Sequence, residues 1–216
     1  MTNEAINDAV TTIAAQTARA LLDIGAVVFT PDSPITFKSG IVSPIYVDNR
    51  RLPYESAAWH QVIDCFRRMI AARLLEFDVI AGIETGAIPH SAALAYTLER
   101  PSVFVRKQPK EHGMKRRIEG GEVAGKRVLL IEDLITTGGS SLSGVEALRD
   151  EQAQVVACLA IFSYGFPQAA DAFARADVPL LTLTTLDAVL DAAQQTSYLA
   201  SDALAVIRDW QRSIKG

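Results

Sequence analysis

Apolar positions recur with a helical period over residues ~4–24 (Ile6, Val10, Ile13, Ala14, Thr17, Leu21), and Gly25 stands where such a helix would stop. Residues 26–52 are instead rich in β-branched residues, Pro and Gly, which predicts short strands joined by tight turns. From there the pattern alternates. Helices are expected at ~54–76, ~87–99, from ~140, at 168–175 and over the last ~20 residues. Strands are expected at 77–81, 102–105, 127–131, 155–162 and 180–183, and 106–125 reads as a polar loop. Strands that are apolar on both faces and separated by helices predict a parallel sheet covered on both sides. In such sheets ligands bind beyond the carboxyl ends of the strands. The loops at 82–89, 106–121 and 132–141 each follow a strand at that end, so the pattern predicts one active-site edge.

The 216 residues are 49% hydrophobic and 21% charged, which suits one globular domain spanning 1–216. A net charge of −4 argues against a nucleic-acid partner. No apolar run reaches the ~18 residues that span a bilayer. The first residues lack the basic start and apolar core of a secretory signal. Cys65 and Cys158 lie far apart in apolar surroundings and read as reduced core thiols. The expectation is a cytoplasmic protein with no membrane partner.

The chemistry concentrates where a core strand ends, in VLLIEDLITTGGSS. Glu132 and Asp133 follow four apolar residues, and Leu134, Ile135, Thr136, Thr137, Gly138, Gly139, Ser140 and Ser141 come next. Glycines let the backbone approach a ligand, and a helix starting here would offer unpaired N–H groups to a phosphate. No lysine follows as in GxxxxGK[ST], and the stretch is not GxGxxG, which disfavours a nucleoside triphosphatase or dinucleotide site. Two acids beside a phosphate seat would repel the ligand unless an uncharged group lay between. A sugar meets that need: its hydroxyls donate to Glu132 and Asp133 while its 5-phosphate reaches the loop. The plainer reading is a solvated strand end with a Ser-rich N-cap.

An apolar strand, two acids and a Thr/Gly/Ser loop is similar to the signature of the type I phosphoribosyltransferases, which bind 5-phosphoribosyl-1-diphosphate. Two more stretches resemble the orotate enzymes of that family. One is TFKSGIVSPIYVDNR (36–50), where Lys38 can meet an anionic base, Tyr46 can stack on it and Arg50 offers a carboxylate fork. Without the resemblance it reads as a solvated hairpin. The other is RKQPKEHG (106–113), matching a catalytic loop at Arg106, Lys107, Lys110, His112 and Gly113. Six cations lie between Arg106 and Arg117, in a loop too long for a routine connector, which fits a mobile lid over a polyanion. A third turn, around Glu84, Thr85 and Gly86, resembles the family's diphosphate-binding turn.

The resemblance implies a type I phosphoribosyltransferase fold, α/β with helices on both faces of a parallel sheet. A small N-terminal hood, 26–52 plus the first helix, would cover it. It implies transfer of phosphoribose to orotate in pyrimidine biosynthesis, with Lys110, Asp133, Glu132 and His112 catalytic. Orotate would meet Lys38, Tyr46, Arg50 and Thr136. Mg2+ would be held mainly by the substrate, and a homodimer would share its active sites, because the loop tip reaches the neighbouring subunit. Two departures stand out. Some members carry a lysine where this chain has Gly86, and some carry an arginine within the segment that here reads Ile161-Phe162-Ser163-Tyr164-Gly165. The remaining alternatives are a purine phosphoribosyltransferase and a regulatory sensor of phosphoribosyl diphosphate.

Overall fold

The computed structural model describes residues 2–37, 40–108 and 116–215. A first helix, α1 (Asn3–Asp23), starts on the Thr2 side chain, and Gly25 follows it at φ +62°. Four short strands follow: β1 (Val27–Phe29), β2 (Ile35–Thr36), β3 (Val42–Ser43) and β4 (Ile45–Val47). They pair antiparallel as β1 with β4 and β2 with β3, forming the small N-terminal sheets. A 3-10 helix at Asn49–Tyr54, started by the Asp48 carboxylate, leads into α2 (Ser56–Ala72).

The main sheet collects β5 (Val79–Ile83), β6 (Ser102–Val105), β7 (Ile118–Glu119), β8 (Arg127–Ile135), β9 (Gln154–Ser163) and β10 (Leu180–Thr185). Their order is β10-β9-β8-β5-β6-β7. All neighbours are parallel except β6 with β7. Leu129, Leu130 and Ile131 are consecutive and fully buried, so both faces of β8 are covered. The helices α3 (Ile88–Leu98), α4 (Gly139–Asp150), α5 (Pro167–Arg175), α6 (Leu186–Gln195) and α7 (Ser201–Lys215) complete the chain. One group joins α1 to α2, α6 and β10, with α2 against α3; α4 packs on α5, β6, β8 and β9. Cys65 and Cys158 are buried free thiols.

The structure departs from the sequence expectations in four places. Strand β8 runs on through Glu132 to Ile135, because the ten-residue β9 offers it partners as far as Ser163. Two residues of the expected polar loop form β7, which pairs antiparallel with β6. A further helix, α6, follows β10 without a loop, and the 3-10 helix carries the DNR residues Asn49 and Arg50.

The C-terminal helix closes over the hood through aromatic rings. Tyr164, 1% exposed, contacts Phe37 at 5.1 Å, Phe162 at 5.0 Å and Phe166 at 5.5 Å between centroids. Trp210 meets both Tyr164 and Phe166, and its indole N–H donates to the Val42 carbonyl at 2.7 Å. This cluster ties α7, the end of β9 and the hood hairpin together. Trp210→Ala should therefore lower unfolding stability by about 2–3 kcal/mol, given that the ring is only partly buried. A urea titration with an unshifted midpoint would show that α7 does not brace the hood.

Candidate active site

Four segments meet at the carboxyl edge of the sheet around a cleft of about 340 Å³. Along β8, alternation turns Glu132 and Asp133 to opposite sides of the strand, yet both line this cleft. Glu132 is 5% exposed, its Oε2 accepting from Ser141 Oγ at 2.9 Å and its Oε1 from the Asp133 N–H at 3.0 Å. Burial pushes the Glu132 carboxyl well above the ordinary range, and the neighbouring Asp133 adds to the effect. Asp133 is half-buried and more open to the cleft.

After Ile135 the chain turns through Thr136, Thr137 and Gly138 into α4. Gly138 takes φ +82°, and a Cβ there would lie 3.0 Å from Phe173, so the turn needs a glycine on both counts. No side chain caps α4, and its first-turn N–H groups have no intrahelical partner. Ser140 is exposed at this end and lines the cleft. Unpaired amides and the helix dipole make this a seat for an anion. Ile135 is buried, and its carbonyl is taken by the Tyr164 N–H at 3.1 Å.

The turn after β5 supplies the second wall. A Cβ on Gly86 would sit 1.9 Å from Asp133 Oδ2 and 2.4 Å from its Cγ. No side chain, and certainly no lysine, fits there while Asp133 holds its place. The Glu84–Thr85 peptide is cis. The Glu84 carboxylate accepts from the Lys107 main-chain N–H at 2.9 Å, tying this turn to the base of the β6–β7 hairpin. There Arg117 donates to the Arg106 carbonyl at 2.8 Å and to Ser143 on α4 at 2.9 and 3.0 Å. Arg106 lies 3.6 Å from Glu119 and lines a smaller adjoining cavity with Lys107 and Ser140.

The hood forms the third wall with Tyr46 and Arg50. The Arg50 fork is partly engaged: its Nε donates to Asp48 at 2.6 Å and one terminal nitrogen to the Tyr46 hydroxyl at 3.0 Å. The Arg50 hydrogen bond holds the Asp48 carboxyl below its ordinary pKa. The buried Asn49 donates to the Asp133 carbonyl at 2.5 Å, fastening the hood to β8.

Ten residues expected from sequence thus line one cleft: Tyr46, Arg50, Glu84, Thr85, Gly86, Lys107, Glu132, Asp133, Leu134 and Ser140. Thr136, Thr137, Gly138 and Gly139 follow directly in the turn, and Arg106 lies next door. Lys38, Lys110 and His112 lie outside the described residues. Sequence reasoning overlooked Asp48 and Asn49, although both sit inside the quoted SPIYVDNR stretch. It also overlooked Ser141 as the partner of Glu132, and Arg117 as a hairpin anchor. It gave His90 no role. In the segment Ile161-Phe162-Ser163-Tyr164-Gly165, Tyr164 is buried in the aromatic cluster, and its hydroxyl approaches the Ile45 carbonyl at 3.4 Å.

The chain matches the Phosphoribosyl transferase domain family over residues 57–178. It is 45% identical over 196 residues to an orotate phosphoribosyltransferase of Bacteroides thetaiotaomicron, covering 90% of this chain and 92% of that one. Its fold superposes on orotate phosphoribosyltransferase from Aeropyrum pernix with a TM-score of 0.73 at 28% identity, over 85% of this chain and 99% of that one. The Mycobacterium tuberculosis orotate phosphoribosyltransferase solved in complex with 5-phospho-alpha-D-ribosyl 1-diphosphate matches with a TM-score of 0.63 at 27% identity. It spans 81% of this chain and 97% of that one.

The raised Glu132 carboxyl makes a stability prediction. The unfolded chain loses this proton at the ordinary carboxylate pKa, whereas the folded protein keeps it to higher pH. Stability from this group is therefore lost as pH rises from the unfolded value through the folded one. Glu132→Gln should match the parent unfolding temperature near about pH 4 and exceed it at about pH 7, by about 2–4 °C for each kcal/mol relieved. Equal unfolding temperatures at both pH values would show that burying the Glu132 carboxyl has no pH-dependent cost.

Proposed function

The chain belongs to the orotate phosphoribosyltransferases of the type I phosphoribosyltransferase family, and from that membership we propose how its residues divide the reaction. The activity is orotate phosphoribosyltransferase activity in pyrimidine biosynthesis. The phosphoribosyl group of 5-phosphoribosyl-1-diphosphate passes to orotate, giving orotidine 5-monophosphate and diphosphate. The observation that carries the residue assignment is the convergence of Asp133, the Gly86 turn, the bare start of α4 and the Tyr46–Arg50 pair on one cleft.

In this reading the ribose hydroxyls donate to Asp133 and Glu132, and the 5-phosphate takes the first-turn N–H groups of α4 beside Thr136, Thr137 and Ser140. The Glu84–Gly86 turn offers main-chain N–H groups to the diphosphate. Orotate lies under the hood, against Tyr46 and the free edge of the Arg50 guanidinium, with Lys38 and Thr136 completing its contacts. As C1 parts from diphosphate, positive charge grows on the ribose and negative charge on the leaving group. The fixed acids stabilise the former, and Arg106, Lys107 and Lys110 stabilise the latter. Charges aimed at developing charge are worth about 3–4 kcal/mol each in water-excluded sites. His112 positions the diphosphate or gives it a proton.

Among the described residues no three acids, cysteines or histidines cluster as a metal site. The donor set here is two acids facing sugar hydroxyls, which suits Mg2+ carried in on substrate oxygens, since that ion keeps few protein ligands. Bound there, the ion would neutralise diphosphate charge. Residues 1–216 act as one domain, with the hood at 26–52 and α1 attached. In this scheme the loop at 106–121 serves a homodimer whose subunits share their active sites, each site being completed by the other subunit. No described helix is long and apolar enough to cross a membrane, and a pyrimidine-pathway enzyme is expected in the cytoplasm.

Orotate ultraviolet absorbance should fall on adding phosphoribosyl diphosphate and Mg2+, and adenine or guanine should not compete. A flat trace would refute the assignment. Lys110→Ala should lower kcat by about 100-fold or more at unchanged stability. Mixing it with Asp133→Asn should restore part of the activity through hybrid dimers. No recovery after demonstrated subunit exchange would remove the shared site from this scheme.

A further inference from the structure

His90 is fully buried in the first turn of α3, behind the acids, where nothing in the reaction so far has used it. Its Nδ1 accepts from the Trp59 indole N–H on α2 at 3.0 Å, and the two rings meet edge to face at 6.2 Å. An indole nitrogen only donates, so Nδ1 is bare and the imidazole proton sits on Nε2. That Nε2 makes no hydrogen bond of ordinary geometry among the described residues, nor does Asn49 Oδ1, and both are buried. Two influences favour the charged imidazole: the Asp133 carboxylate and the Asn49 main chain. Asn49 in turn donates to the Asp133 carbonyl. Two contacts are thus fixed, Trp59–His90 between α2 and α3 and Asn49–Asp133 between the 3-10 helix and β8, and the Asn49 main chain acts electrostatically on the His90 ring.

We propose that His90 is a positioning residue for Asp133, setting the Asn49–Asp133 contact through its Nε2–H. A buried polar ring with an underused donor is a poor choice for packing alone, since an apolar side chain could fill the space without desolvating a polar group. The ring also stays neutral at neutral pH, because burial lowers its pKa to about 4. It thus acts as a directed dipole with a fixed proton, not as a second charge beside Asp133. The hood, which carries Tyr46 and Arg50, and the acid on β8 are then set by the same contact. Base and ribose are located relative to one another through it.

This inference rests on the role proposed for Asp133, and the test separates the two. Parent, Asp133→Asn, His90→Leu, His90→Gln and Trp59→Phe would be compared by kcat, by KM for both substrates and by unfolding temperature. His90→Leu is expected to lose about 10-fold in kcat with KM changed less than about 2-fold, the pattern of an interaction realised in the transition state. His90→Gln should recover most of the loss, because its amide oxygen can accept from Trp59 while its N–H2 faces Asn49. Trp59→Phe removes the donor that fixes the tautomer, so nitrogen NMR of His90 should show mixed Nδ1–H and Nε2–H forms and kcat should fall several-fold. A folded His90→Leu with parental kcat overturns the proposal. If that variant does not fold, Trp59→Phe decides: parental kcat with an unchanged His90 tautomer overturns it equally. Full activity in Asp133→Asn would instead overturn the underlying reading of the acid.

Discussion

Asp133 occupies the space that any side chain on residue 86 would need, and most of the site's geometry follows from that contact. The acid cannot shift toward the turn, and the turn cannot accept a Cβ without moving the acid. Asn49 holds the main chain of the same residue from the hood side. Strand β8, buried between β5 and β9, leaves the backbone no freedom to adjust. Preorganisation of this kind is what electrostatic catalysis requires, since charges that need not move on reaction lose nothing to reorganisation.

The charges are laid out by the fold in a consistent way. Glu132 is buried at a stability cost and kept there by Ser141 and the Asp133 N–H. The unpaired amides at the start of α4 supply positive potential beside the cleft, and Lys107 lines it from the end of β6. Glu84 joins these parts, because its carboxylate holds the Lys107 backbone at the hairpin base. The Glu84–Gly86 turn and the base of the β6–β7 pair are therefore tied to one another. In this chain the space beside residue 86 is taken by the Asp133 carboxylate.

Much of this was legible in the sequence because its signals were local. Apolar runs marked the strands, and the order of acids, hydroxyls and glycines marked the turn into α4. What was illegible depended on pairing. Periodicity ended β8 at the first charge, but the length of β9 carries it through Glu132 to Ile135. The two residues of β7 form a strand only because β6 lies beside them. Helix α6 was hidden because it follows β10 directly, with no turn residues to announce it. His90 looked idle for the same reason: Trp59 is distant in sequence and becomes its neighbour only when α2 and α3 pack.

The most direct measurement is a crystal structure of the protein with phosphoribosyl diphosphate, orotate and Mg2+ under non-turnover conditions. The account predicts the pentose 2- and 3-hydroxyls within hydrogen-bond distance of Asp133 and Glu132, and the 5-phosphate against the first turn of α4. A pentose bound away from those two carboxylates, or a phosphate seated elsewhere than that helix start, would contradict it.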